Sequence, residues 1–247
     1  MGGKTLLITV NLDQIALMPC NPAVGGPAKG HLVREIDALG GQMAINTDLT
    51  AVQIRMLNTG KGPAVRALRA QSDKWKYKTL MAETLNKQHG LTVKQGLVEE
   101  ILVDGGRVVG VKVKTGLEYG AGAVVLTGGT YLKGRILVGE IAYPGGPNGQ
   151  LSAEGLSACL TALGIQLGRF STSTSPRVDA TTVDFSQMIE QKGDDPPSYF
   201  SFMSKDIEVP NLSCWLTYTN EATHRIIRDH VSRSPIYGGE IQGAGPR

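Results

Sequence analysis

"MPCNPAVGGPAKGHLVREIDALGG", Met18 to Gly41, is the stretch on which the reading of this chain turns. Cys20 sits between Pro19 and Asn21-Pro22, and Gly25, Gly26 and Gly30 follow. From Gly30 onward Leu32, Val33, Ile36 and Leu39 recur at helical spacing, Arg34, Glu35 and Asp37 take the other face, and Gly40-Gly41 ends the run. A thiol ahead of a helix N-terminus gains from the positive end of the dipole and from free backbone N–H groups. The prolines restrict the loop, while the glycines let backbone pass close to a bound group. Residue types alone leave two readings open: a nucleophile poised beside a cofactor, or a buried cysteine in a tight turn.

Around this stretch the sequence reads as α/β. "KTLLITVN" (Lys4 to Asn11) has the character of a buried strand. A long helix is expected from Pro63 to a stop at Gly90, with Val65, Leu68, Ser72, Trp75 and Thr79 on its apolar stripe. The period then changes. Strands are expected near residues 96–103, 108–114 and 123–127, the first two joined by a hairpin turn at Asp104-Gly105-Gly106. "AVVLTGG" is wholly apolar before its glycines, as parallel strands are where they run into a ligand crevice. A helix over Leu151 to Ile165 follows. Beyond Ser171 the texture becomes polar and proline-bearing, which places a domain boundary near residue 171. A strand at Cys214 to Asn220 and a helix capped near Thr219 or Asn220 come after it, before "GAGPR".

Composition narrows the function classes. Hydrophobic residues make up 41% and charged residues 19%, as in soluble globular proteins. A net charge of +3 permits contact with nucleic acid without requiring it. Cys20, Cys159 and Cys214 form no C-x-x-C and, with His31, His89, His224 and His230, no zinc spacing, so no metal site is expected. Cysteine usage and the absence of an apolar run of spanning length point to a reducing, cytoplasmic setting with no membrane partner. "GGKT" near the start lacks the upstream glycine of a phosphate loop. Lys61, Arg66 and Arg69, with Lys74, Lys76 and Lys78 beyond them, either track a polyphosphate or RNA backbone or form a solvated helix face.

The order of elements resembles the middle of a two-dinucleotide-binding flavoprotein of the glutathione-reductase type. "CNPAVGGPAKGHLVREIDALGG", "NTGKGPAVRALRAQSDK", "VVLTGGTYLKGRILVGE", "TNEATHRIIRDHVSRSPIY" and the final "GAGPR" resemble the glucose-inhibited division protein A family, the large flavin subunit that modifies the wobble uridine of tRNA. The resemblance runs the length of the chain. It implies a Rossmann-like FAD-binding part over residues 1–171, with a β-meander, and the start of an inserted nicotinamide-side α/β domain over 172–247. It implies FAD, with NADH and methylene-tetrahydrofolate as co-substrates, and addition of an aminomethyl-type group at carbon 5 of uridine 34. The implied partners are tRNA, a GTPase subunit and a second copy of the chain.

On this resemblance Cys20 is the family's loop cysteine beside the flavin, and Asn21, Gly25 and Gly26 belong to that loop. Val98 matches a backbone contact to the adenine of FAD, and Thr127, Gly128 and Gly129 match the strand end flanking the cofactor. Ser152 or Ala153 aligns with a serine that touches FAD. Lys61, Arg66 and Arg69 become tRNA or cofactor-phosphate contacts. The family's Lys-Thr-Gly-Thr-Pro-Pro-Arg is "STSTSPR" here, with Ser171 for the lysine and Ser173 for the glycine. Its G-x-G-x-x-G segment and its Tyr-Cys-Pro after "GPR" are not among these residues, so a partial chain, inactive by itself, is expected. The competing expectations are a catalytically dead module that binds RNA or a partner subunit, a fragment without a stable fold, and the related folate- and FAD-dependent tRNA uridine methyltransferase.

Overall fold

The structure is a computed structural model and describes residues 3–238. The chain runs β1 (Thr5–Thr9), β2 (Ala23–Gly25), α1 (Lys29–Ala38), α2 (Met43–Thr50), β3 (Ala51–Leu57), β4 (Ala67–Ser72), α3 (Lys74–Lys87) and β5 (Leu91–Gln95). It continues through β6 (Val98–Asp104), β7 (Arg107–Val113), β8 (Glu118–Gly120), β9 (Arg135–Val138), β10 (Ile141–Pro144), α4 (Glu154–Ala162), β11 (Ile189–Gln191), β12 (Cys214–Leu216) and α5 (Glu221–His230). The α/β class is therefore as expected.

Contacts divide the chain into two compact units, one of residues 3–13, 90–173 and 219–238, the other of 14–89 and 174–218. The expected boundary near 171 falls beside one of the crossings, but the units are not two consecutive blocks. Each gathers segments from both sides of that position, and linear composition cannot register such long-range pairing.

In the first unit β1 and β5 pair in parallel, and β6, β7 and β8 form the antiparallel meander. Asp104 pairs with Arg107 across Gly105 and Gly106, whose φ values of 53° and 77° are those of the two-residue hairpin turn. Helix α4 packs Leu156 and Leu160 on Leu97 and Ala153. Residues 123–127 are not a strand. Val125, at 85% exposure, and Leu126 face outward, because no strand among the described residues offers this segment a ladder. Helix α5 opens on Asn220, whose side chain accepts from the Thr223 N–H at 3.0 Å. "GAGPR" lies outside the described residues.

The second unit is built on the antiparallel sheet β2-β4-β3. The long helix expected from Pro63 does not exist as such: Pro63–Val65 is a single 3-10 turn, Ala67–Ser72 is the central strand β4, and only Lys74–Lys87 is helical. Ala67, Leu68, Ala70 and Ser72 are buried while Arg69 and Gln71 are half-buried, so a two-residue period governs this segment. Asp73 then starts α3 by accepting from Trp75 N at 3.0 Å and Lys76 N at 3.1 Å. The expected stripe fails accordingly, with Trp75 64% exposed and Tyr77 buried.

The glycines of the opening stretch have a packing reason. A Cβ on Gly25 would lie 2.2 Å from the Leu68 carbonyl oxygen and 2.6 Å from Phe200 Cζ, and one on Gly30 would lie 2.7 Å from the same oxygen. That oxygen also accepts the Gly26 N–H at 2.7 Å. Helix α1 thus seats on β4 through Gly30 and Val33, leaving Leu32, Ile36 and Leu39 exposed rather than in the core as their spacing suggested. It ends as expected, with Gly40 at φ 86° and Gly41 N–H donating to Ile36 O at 2.9 Å.

Helix α2 buries Asn46, Thr47, Asp48 and Thr50. The Asp48 carboxylate accepts from Phe200 N at 2.9 Å, Ser201 N at 2.8 Å and Ser204 Oγ at 2.7 Å. Those bonds favour its charged form, but burial outweighs them and raises its pKa above the ordinary 3.8.

Two predictions follow from this packing. Gly25→Ala costs about 3 kcal/mol, from left-handed backbone plus overlap with a carbonyl already held in a hydrogen bond. Gly26→Ala, at φ 89° with no atom within 4 Å of its Cβ, costs only about 1–2 kcal/mol; equal urea midpoints for the two variants contradict this. Because the folded pKa of Asp48 is raised, its contribution to stability is full below about 3.8 and is lost as pH rises through the higher folded value. The stability of the native chain relative to Asp48→Asn therefore falls as pH is raised from about 4 toward 7, and a constant difference in denaturation midpoints over that range contradicts it.

Candidate active site

The expected site residues fall into two groups, one in each unit. In the second unit Cys20 is half-buried in the loop ahead of β2, and Asn21 beside it is exposed. The cysteine does not sit directly before the helix. Strand β2 intervenes, and at the start of α1 the Lys29 and Gly30 N–H groups already donate to the Pro27 and Gly26 carbonyls at 2.8 and 2.7 Å. The dipole argument for Cys20 is accordingly not carried by this geometry. Instead Arg177 donates from its guanidinium to the Cys20 carbonyl. Arg177 belongs to the "STSTSPR" segment, and no periodicity signals its placement.

The strand register sets Gly25 of β2 opposite Arg69 of β4, and Arg69 opposite Arg55 of β3. Two arginines facing each other repel unless an anion or a hydrogen-bond acceptor shares them. Arg55 donates to the Lys192 carbonyl at 3.3 Å, while Arg69 Nε is buried with no hydrogen-bond partner. Lys61 and Arg66 are exposed on a turn shaped by Asn58, whose side chain donates to the Val65 carbonyl at 3.0 Å. Among the described residues no salt bridge joins Lys61, Arg66 or Arg69 to a carboxylate. At the start of α3, Lys78 Nζ stands 4.8 Å from the centre of the exposed Trp75 ring and Lys74 Nζ 5.6 Å. Such a surface suits a phosphate-bearing ligand with flat bases.

In the first unit Tyr131 joins the second group. Its N–H donates to the Gly128 carbonyl at 3.1 Å, and its own carbonyl accepts from Ser152 Oγ at 3.3 Å and Ala153 N at 2.9 Å. Thr127, Gly128, Gly129 and Ser152 are thus drawn to one place, and Val98 packs with Leu132 on the same apolar cluster. Burial raises the Tyr131 phenol above its usual 10.0. Gly129, at φ 52°, presents its backbone with no atom closer than 4.0 Å to a Cβ. Exposed apolar surface at Val125 and Leu126 lies just before it in sequence. Open backbone, a hydroxyl and apolar surface fit the flat ring faces and the hydroxyls of a flavin nucleotide, so the residues present are compatible with that part of it.

An open groove of about 610 Å³ beside β6, β7 and α4 includes Cys159 and Glu99 in its lining but none of the expected site residues. His224 is occupied locally, by Thr219 Oγ1 at 2.8 Å. Among the described residues no cluster of metal-ligating side chains exists, and no helix is long and apolar enough to cross a membrane.

The family described as "Glucose inhibited division protein A" matches residues 1–247. A protein of Heliobacterium modesticaldum named tRNA uridine 5-carboxymethylaminomethyl modification enzyme MnmG is 58% identical over 247 residues, covering 100% of this chain and 39% of that protein. The protein of the same name from Lactiplantibacillus plantarum is 55% identical over 251 residues, with 100% and 40% covered. The structure of Aquifex aeolicus GidA in its form I crystal superposes with a TM-score of 0.90 at 45% identity, covering 99% of this chain and 42% of that one. The chain spans about 40% of the length of the relatives it matches. With its whole length matched and its fold shared, this chain belongs to the glucose-inhibited division protein A family.

Proposed function

We propose that this chain forms part of an enzyme that modifies carbon 5 of the wobble uridine of tRNA. The observation that carries this reading is identity above half of all positions, along the entire chain, to enzymes named for that modification. FAD is the proposed cofactor, with Val98, Thr127, Gly128, Gly129 and Ser152 as its proposed contacts in the first unit. It supplies redox chemistry when bound. NADH and methylene-tetrahydrofolate are the proposed co-substrates, and a GTPase subunit and a second copy of the chain the proposed partners.

Cys20 is the proposed nucleophile. Its thiolate adds to carbon 6 of the uracil ring, forming a C–S bond and moving an electron pair to carbon 5, which would then attack the methylene carbon of the iminium form of methylene-tetrahydrofolate as the C=N pair passes to the folate nitrogen. Loss of the carbon 5 proton expels the thiolate and restores the ring. Carbon 5 of uracil is a poor nucleophile without that addition, which is why a cysteine is wanted here. Lys61, Arg66 and Arg69 are the proposed contacts to tRNA phosphates, supported by their having no carboxylate partner among the described residues.

Two measurements test this. In cells carrying the protein with Cys20→Ser, nucleoside mass spectrometry of tRNA is expected to show the 5-carboxymethylaminomethyl group reduced to background. Its persistence overturns the role of Cys20, and 5-methyluridine as the wild-type product points to the methyltransferase instead. In a tRNA-binding titration against salt, Lys61→Gln with Arg66→Gln is expected to lower the slope of log K against log salt by about 2. An unchanged slope removes these residues from the interface.

A further inference from the structure

The loop carrying Cys20 is gripped by a segment more than a hundred residues further along the chain. Phe200 is fully buried, and its ring edge occupies the space where Gly25 lacks a side chain, 2.6 Å from the Cβ position. Its placement is enforced from behind by Asp48, which holds the backbone N–H groups of Phe200 and Ser201. It is enforced from the side by α1. Asp37 accepts from Phe202 N at 2.9 Å, and Arg34 donates to the Tyr199 carbonyl at 3.1 Å. From the same distant part of the chain, Arg177 takes the Cys20 carbonyl.

We propose that Asp48, Phe200 and Arg177 are positioning residues that clamp the Cys20 loop in its reacting geometry. The proposal rests on reading Cys20 as the reacting thiol. Phe200 meets the end of β2, the strand into which the Cys20 loop runs, at Gly25, and the Gly26 N–H beside it is bonded to the Leu68 carbonyl. Arg177 holds the cysteine's own peptide unit. A nucleophile whose own peptide unit and following strand are both held loses little freedom on reaching the transition state, whereas a free loop must be ordered at that moment. None of the three touches substrate on this account. They act through Cys20.

The test is alkylation of the whole chain by iodoacetamide, followed by peptide-resolved mass spectrometry, with Cys159 and Cys214 as standards. Cys214 is bonded to Gln53 Oε1 at 3.5 Å in the same unit and reports general loosening. Phe200→Leu and Arg177→Gln are each expected to raise the Cys20 rate by about fivefold with Cys214 unchanged. Arg177→Lys, which keeps a donor, is expected to return the Cys20 rate to wild type. Arg177 is exposed, so its variants decide the matter even where Phe200→Leu does not fold. A rate that does not move, or one that rises equally at Cys20 and Cys214, overturns the clamp. The alkylation result does not depend on catalysis. A Cys20→Ser protein that still modifies tRNA therefore refutes the reading of Cys20 separately from the clamp.

Discussion

A carboxylate taken out of water must find donors, and the second unit is organised by where Asp48 finds them. The side chain is 1% exposed in the last turn of α2, and its acceptors are filled by Phe200, Ser201 and Ser204. An unpaired carboxylate at that depth costs several kcal/mol. Alternative placements of the Tyr199–Ser204 loop are therefore penalised more heavily than apolar contacts alone could manage. Burial raises its pKa against the effect of those bonds, so the group is a poor source of stability and a good source of specificity. Once the loop is placed, Phe200 fills the core beside Val24 and Ile54, and Arg34 and Asp37 gain partners.

The Leu68 carbonyl is the matching constraint on the other side of the core. It accepts from Gly26, and both Gly25 and Gly30 come too close to it for any side chain. The glycines that suggest a cofactor loop therefore have a sufficient explanation in the seating of β2 and α1 on β4. This does not remove them from a flavin site. It means that a substitution there is felt first in folding, and that loss of activity in such a variant must be read against its stability.

Local chemistry made much of the fold readable in advance. Asp104-Gly105-Gly106 is a turn because φ > 0 is needed at both central positions. Gly40-Gly41 ends α1, and "TNEATH" starts α5, because capping is decided within a few residues. The failures share a cause in long-range pairing. Ala67–Ser72 follows Pro63 and carries good helix formers, yet its neighbours β2 and β3 make it the central strand. Residues 123–127 have strand composition, but composition supplies no partner for their N–H groups. Arg34 and Asp37 look like a solvated helix face until Tyr199 and Phe202 arrive on them. The candidate site was legible in the same uneven way. Cys20 stands out by its setting, while Arg177, Asp48, Phe200 and Tyr131 acquire meaning only from contacts that no sequence period encodes.

The second unit depends on the bonds from Asp48 to the Phe200 and Ser201 backbone, and amide hydrogen exchange reads those groups directly. Resolved by residue, it is predicted to show the Phe200 and Ser201 amides protected as strongly as those of β4, although they belong to a loop outside every helix and strand. Exchange at the rate of an exposed loop, with β4 still protected, would contradict the claim that this buried carboxylate organises the fold around Cys20.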